Sequence, residues 1–383
     1  MTKHLSVART FSVAAALATL GTAHASTFTT LHLFTGTDGA TPNELIQGAD
    51  GNYYGSTSAG GNHDNGEVFK MTPAGAVTVL YVFNGTSGSR PLGALAAGGD
   101  GYYYGTTSNG GSLSGGTAFK ISPSGALTFL HQFGAAGEGQ NPTGLISGND
   151  GNFYGTTYFG GAGGVGTLFK MTPAGVVTTL HSFTGADGSM PMDQLRSAGD
   201  GSYYGLSANG GAANCGTFYR ITNDGTFSLL YSFPNAAPAG CKPQGRLVDG
   251  AGGDSADFFG TTQSGGANSA GTVFRITRAG VPSWLHSFAG TADGATPHGG
   301  LTLANNLSFY GTTGSGGAYG VGVTFKISST GSYTLLHSLN PAVAGETTGP
   351  HAPLLLDSAG NLIGSTPGYS SSTTGGSVFS QTP

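Results

Sequence analysis

A unit of about fifty residues recurs seven times along this chain, and its last copy is one strand short. Its aromatic signature reads Tyr53-Tyr54-Gly55, Tyr103-Tyr104-Gly105, Phe153-Tyr154-Gly155, Tyr203-Tyr204-Gly205, Phe258-Phe259-Gly260 and Phe309-Tyr310-Gly311, with a degenerate Leu362-Ile363-Gly364. In one copy, Leu92 to Ala97 is a short apolar segment, and Asp100-Gly101 signals a tight hairpin because that turn needs φ > 0. Tyr102 to Thr107 is aromatic and β-branched, Thr117 to Ile121 follows a glycine loop, and Ala126 to Phe133 follows the turn at Pro123-Ser124-Gly125. No stretch of the unit keeps apolar residues at three-four spacing, so the reading is all-β. A four-stranded meander this small cannot bury both of its faces, and neighbouring copies must cover it.

The end of the fourth strand acts as a ruler. Phe34, Phe83, Phe133, Phe183, Phe233, Phe288 and Leu339 recur every 49 to 55 residues, the longest interval holding an insertion near 250–257. The final copy has Leu354 to Leu356, Asn361 to Thr366 and Gly376 to Phe379, and then no fourth strand. Thr27 to Phe34 reads as a fourth strand without the preceding three. Joined, the fragments make one blade. That predicts a closed seven-bladed β-propeller of four-stranded antiparallel blades, in preference to an open β-solenoid with exposed edges.

Residues 1–25 read as a secretory signal peptide: Lys3 and Arg9, an apolar run from Phe11 to Leu20, and Ala23-His24-Ala25 as the cleavage pattern. The run is too short to span a bilayer, and no other apolar stretch is long enough. Secretion and a propeller domain over 26–383 are therefore expected. Losing Lys3 and Arg9 takes the formal charge from −5 to −7, which argues against a nucleic-acid partner. Cys215 and Cys241 in an exported chain are expected to pair; two free thiols are the alternative.

The repeat resembles the Gloeo_Verruco (GloVer) extracellular repeat of bacteria. Gly115-Gly116-Thr117-Ala118-Phe119-Lys120 and Gly271-Thr272-Val273-Phe274-Arg275-Ile276-Thr277 carry the resemblance, with the Asp-Gly-x-Tyr-Tyr-Gly-Thr-Thr segments. It implies an exported repeat protein and transfers no catalytic residue.

In a propeller, the loops from strand four to the next strand one share a face with the loops from strand two to strand three. They are the more varied loops and the better recognition surface. Threonine, asparagine and tyrosine there are candidates for sugar hydroxyls: Thr107, Asn109, Thr157, Tyr158, Asn209, Thr262 and Thr313. The plainer reading is that the threonines are good strand residues. Asp38, Asp187 and Asp293, each in Asp-Gly-x-x-Pro, are weak Ca²⁺ candidates against ordinary turns, since one carboxylate per loop is too few. His32, His131, His181, His286 and His337 recur in strand four, too far apart around a ring to share a metal, and read as packing. The cations Lys70, Lys120, Lys170, Arg220, Arg275 and Lys326 read as snorkelling side chains near the outer edge of each blade.

Catalysis is not expected. A glycosidase needs two carboxylates about one bond, and outside the turn aspartates the sequence offers Glu44, Glu67, Glu138 and Glu346 with chiefly Asp64, Asp193 and Asp249, spread over several copies. For a lyase, His298 and His351 with Arg90 or Arg246 are the candidates. No nucleophile elbow or phosphate-cradling loop appears. The expectation is a monomeric, secreted module that binds a glycan or a surface or matrix protein without a cofactor. A carbohydrate-active enzyme and a purely structural repeat are the alternatives.

Overall fold

The computed structural model describes residues 26–192, 194–250, 257–368 and 375–383. The signal-peptide segment, Asp193 and the centre of the insertion lie outside these residues. The described residues contain no helix and form seven antiparallel sheets. We number the blades in chain order by their second strands: Tyr53–Ala59, Tyr103–Asn109, Phe153–Gly160, Ser202–Ser207, Asp257–Gly265, Phe309–Thr313 and Leu362–Thr366. Blade three shows the plan, running Gly139–Ser147, Phe153–Gly160, Thr167–Met171 and Val177–Ser182 in spatial order. The first strands surround a central channel and pack so tightly that a Cβ on Gly93 would lie 2.3 Å from the Thr143 carbonyl of the next blade.

The aromatic signature explains the stacking of blades. Successive strand residues point to opposite faces, so each pair serves two interfaces. Tyr54 packs on Tyr103 with ring centroids 4.4 Å apart, Tyr104 on Phe153 at 4.0 Å, Tyr154 on Tyr203 at 4.1 Å and Phe259 on Phe309 at 4.2 Å. The degenerate pair closes the circle: Leu362 shares a buried cluster with Tyr310, and Ile363 shares one with Tyr53. The glycine after each pair leaves room for the aromatic ring of strand three; a Cβ on Gly311 would meet Phe325 at 2.6 Å.

Blade seven is assembled from both ends of the described chain. Phe28–Leu33 pairs antiparallel with Ser377–Gln381, from Phe28 opposite Gln381 to Leu33 opposite Ser377. The Phe34 and Gly375 amides extend the ladder, donating to Gly376 and Phe34 at 2.9 and 2.7 Å. Phe34 is fully buried among Tyr53, Phe69, Ile363 and Val378.

The strand-three cations differ from the sequence expectation. They turn toward the hairpin between strands one and two, because each sits opposite the second aromatic of its own blade, as Lys70 does opposite Tyr54. The Tyr54 hydroxyl and the Lys70 ammonium both donate to Asp50 Oδ2, at 2.9 and 2.7 Å. The same triad recurs at Asp100 and Asp150. The hydrogen bond from Lys70 holds the Asp50 carboxyl well below the usual carboxylate range.

Cys215 and Cys241 form a disulfide between blades four and five. A bridge across a 26-residue separation constrains the unfolded chain by about 3 kcal/mol. The double substitution of Cys215 and Cys241 to serine is expected to lower unfolding free energy by about 2–4 kcal/mol in a urea titration. An unchanged midpoint would show that the bridge does not hold these blades together.

Candidate channel-mouth site

Each loop entering a first strand carries a proline, preceded by a residue in the left-handed region. Thr41, Arg90, Asn141, Met190, Lys242 and Thr296 have φ between 51° and 57°, and blade seven uses Gly349 at 65°. The conformation aims the amide of that residue at the preceding blade. Arg90 N–H donates to Asn65 O at 2.9 Å, Asn141 N–H to Gly115 O at 2.8 Å and Lys242 N–H to Cys215 O at 2.8 Å. Seven such latches set the rim of the channel. A residue before proline is biased toward extended backbone, so this geometry is not what the local sequence suggests.

Inside the rim lies a cavity of about 590 Å³, lined by loops and strands of blades one to five and seven. Its polar wall includes Asn43, Asn109, Asn141 and Gln194. Tyr158 and Phe159 form an aromatic shelf, their rings edge to face at 4.5 Å and Phe159 41% exposed. Asn141 Nδ2 donates to Ser108 O and Asn109 Oδ1 at 2.8 and 2.9 Å, which fixes two amides of this wall.

Glu44 of blade one meets Arg246 of blade five across the channel at 2.7 Å. Burial pushes the Glu44 carboxyl up from its ordinary value, and the Arg246 guanidinium pulls it part of the way back. His351 lines the same cavity, and the His298 ring lies against it, tilted by 35° with ring centroids 4.6 Å apart. His298 Nδ1 lies 3.0 Å from Gln244 Oε1. Burial, reinforced by His351, pushes the His298 pKa down to about 4, and burial lowers that of His351. The His298 imidazole is therefore neutral near pH 7. The mouth joins an ion pair, the His351 imidazole, amides and aromatic rings, a set suited to hydrogen-bonding and stacking a polar ligand.

The sequence candidates divide. Asn109 and Tyr158 line the cavity. Thr107, Thr157, Thr262 and Thr313 do not: they are fully buried inside the blades. The hydroxyls of the first three pair with those of Thr117, Thr167 and Thr272 at 2.8–2.9 Å, and Thr313 Oγ1 accepts the Val323 amide at 3.1 Å. This corrects their assignment as ligand contacts, because second- and third-strand neighbours use their hydroxyls. Asn209 donates to Met190 Sδ at 3.2 Å and stands outside the cavity lining.

The weak Ca²⁺ candidates hold histidines. Asp38 binds His32 Nε2 at 2.8 Å, Asp187 binds His181 at 2.9 Å and Asp293 binds His286 at 3.1 Å. Each also accepts a loop amide, from Thr35, Thr184 and Ala289. Glu138 with His131 and Glu346 with His337 repeat the arrangement. Among the described residues no three His, Cys, Asp or Glu side chains gather as a metal group. The pairing leaves a signal in the repeat: the two copies with tyrosine in place of histidine, Tyr81 and Tyr231, have no acid in the following loop.

A sequence model of the Gloeobacter/Verrucomicrobia repeat matches residues 19–205, 97–307 and 191–383. No curated protein matches the chain. Among solved structures, the extracellular domain of a candidate hybrid two-component system from B. thetaiotaomicron aligns over 92% of this chain and 39% of its own, at 10% identity and TM-score 0.60. The chain thus spans well under half of that relative. A candidate 6-phosphogluconolactonase from Bacteroides uniformis aligns over 76% and 83% of the two chains, at 14% identity and TM-score 0.51. At these identities the likeness is one of fold alone.

Proposed function

The chain belongs to the Gloeobacter/Verrucomicrobia repeat family, and on that premise we propose that it is an exported propeller that binds a glycan at the channel mouth. The observation that carries this reading is the cavity wall, which is lined by both fixed amides and an aromatic shelf, as saccharide hydroxyls and ring faces require. The leader pattern of residues 1–25 and the interblade disulfide support export.

Glycan-array binding of the protein spanning residues 26–383 tests the reading. Retention of polysaccharide is expected, with Tyr158→Ala weakening it about tenfold. An array on which nothing binds, with capture of a surface protein instead, would replace glycan by protein as the partner.

One observation favours a second reading. Glu44, with its pKa raised by burial, and His351, with His298 against it, could supply an acid and a base at the same mouth. Release of reducing or unsaturated ends from bound polysaccharide would establish that reading; binding without release supports the module.

A further inference from the structure

The six left-handed residues before proline are a costly choice in this chain. Glycine adopts that conformation freely, the sequence has 72 glycines, and yet only blade seven uses one at this position. Strain kept at equivalent places points to side chains that are needed there. Four of the six have visible work. Thr41 bonds Ser58, Asn141 holds Ser108 and Asn109, Met190 accepts from Asn209, and Thr296 bonds Ser315.

Arg90 and Lys242 are the exceptions. Both are exposed, and neither side chain has a hydrogen bond, ion pair or ring contact among the described residues. Every other lysine and arginine from Ser26 onward engages a carboxylate, a hydroxyl or an aromatic ring. Their backbones are nonetheless fixed. Arg90 donates its amide to Asn65 and accepts from Ser108 Oγ at 2.9 Å, and Lys242 donates to the carbonyl of Cys215, within the disulfide. Among the described residues, five loop carboxylates of this face are each bonded to a histidine, Asp64 accepts the Gly60 amide at 2.8 Å, and Glu44 holds Arg246. Arg90 thus lines the cavity as a guanidinium with no partner among the described residues, on a rigid frame.

We propose that Arg90 is an anion-recognition residue and that the mouth takes an acidic polysaccharide. The carboxylate or sulfate of one sugar sits on the guanidinium, whose planar fork binds such groups through two hydrogen bonds. The ring of that sugar lies on the shelf of Tyr158 and Phe159. Lys242, three blades away around the rim, meets a second charge of the same polymer. This inference rests on the glycan reading of the mouth and deepens it by naming the ligand class.

Polygalacturonate, dextran sulfate and neutral dextran are the probes, with wild type, Arg90→Gly and Lys242→Ala compared in affinity electrophoresis and thermal melts. Wild type is expected to bind at least one anionic polymer, more weakly as salt rises. Arg90→Gly is expected to lose that binding about tenfold to a hundredfold while melting no lower than wild type, because glycine relieves the strained backbone. Lys242→Ala is expected to show a smaller loss. Preference for polygalacturonate identifies a carboxylate, and preference for dextran sulfate a sulfate. Anionic polymers bound no more tightly than neutral dextran, and as well by Arg90→Gly as by wild type, would overturn the anion inference and leave the glycan reading standing. Binding of none of the three would overturn the inference, and glycan-array silence would remove the glycan reading with it.

Discussion

A protein lacking residues 1–34 is expected to be unfolded at room temperature, whereas one lacking only residues 1–25 folds. The difference is a single strand, Phe28–Leu33, and the phenylalanine after it. That strand provides the outer ladder of blade seven, and its residues reach beyond the ladder. Phe28 stacks on Phe379 at 4.7 Å and on His337 of blade six at 4.2 Å. Phe34 fills the core between blades seven and one, edge to face with Phe69 at 5.3 Å. Truncating a buried phenylalanine alone costs about 3–5 kcal/mol, and each lost ladder hydrogen bond adds roughly 1 kcal/mol. The total matches the whole net stability of an ordinary domain, about 5–15 kcal/mol. Deletion also bares Ser377–Gln381 as an unpaired edge, which invites association between chains. Far-ultraviolet circular dichroism and size-exclusion chromatography measure both consequences. Because Phe28 lies opposite Gln381, residues 26–34 appended after Pro383 through a two-residue turn should restore the monomer. A truncated protein that stays folded, with a cooperative melt like that of the longer form, would show that six blades and a three-stranded seventh close without the strand.

This closure was legible before any coordinates because it depends on periodicity and on strand content, both local. Phe34 at the end of a strand and Phe379 in an unfinished blade identify each other by their places in the repeat. The aromatic pairs were legible for the same reason, since alternation along a strand assigns Tyr53 to one interface and Tyr54 to the other. The mouth was not. Glu44 and Arg246 belong to the first and fifth blades, and only the curvature of the finished ring brings them to 2.7 Å. The left-handed latch at Arg90 ran against the local preference of a residue before proline. Thr107 and its equivalents misled in the opposite direction. Alternation gives their side of the strand but not what takes the hydroxyl there, and Thr117 takes it inside the blade. The histidine–carboxylate pairs lay between these cases, visible as joint presence and joint absence within seven copies of one unit.

Replacing Glu67 by threonine is expected to stabilise the protein at pH 8 and to flatten its stability between pH 5 and 7. Glu67 opens the third strand of blade one, where blades two to six carry Thr117, Thr167, Thr217, Thr272 and Val323. It is 1% exposed, and its Oε2 has no hydrogen-bond partner. Burial, and then the charge of Asp38, raises its pKa to about 7. In the unfolded chain the group returns to its ordinary value near 4.5. The folded state thus binds the proton more tightly. Its stabilising contribution is complete below pH 4.5 and is lost as pH rises through 7. Such a shift amounts to about 2–3 kcal/mol lost by pH 8. Threonine removes the titrating group and places a hydroxyl near Thr57, whose Oγ1 already accepts the Glu67 amide at 3.1 Å. The variant should gain about 2 kcal/mol over wild type at pH 8 and little at pH 4.5, read from urea titrations across that range. Glu67→Gln separates charge from shape: it also flattens the profile, but leaves a buried amide that gains less. Parallel stability curves for wild type and both variants from pH 5 to 8 would mean that the Glu67 carboxylate is already compensated in the folded protein.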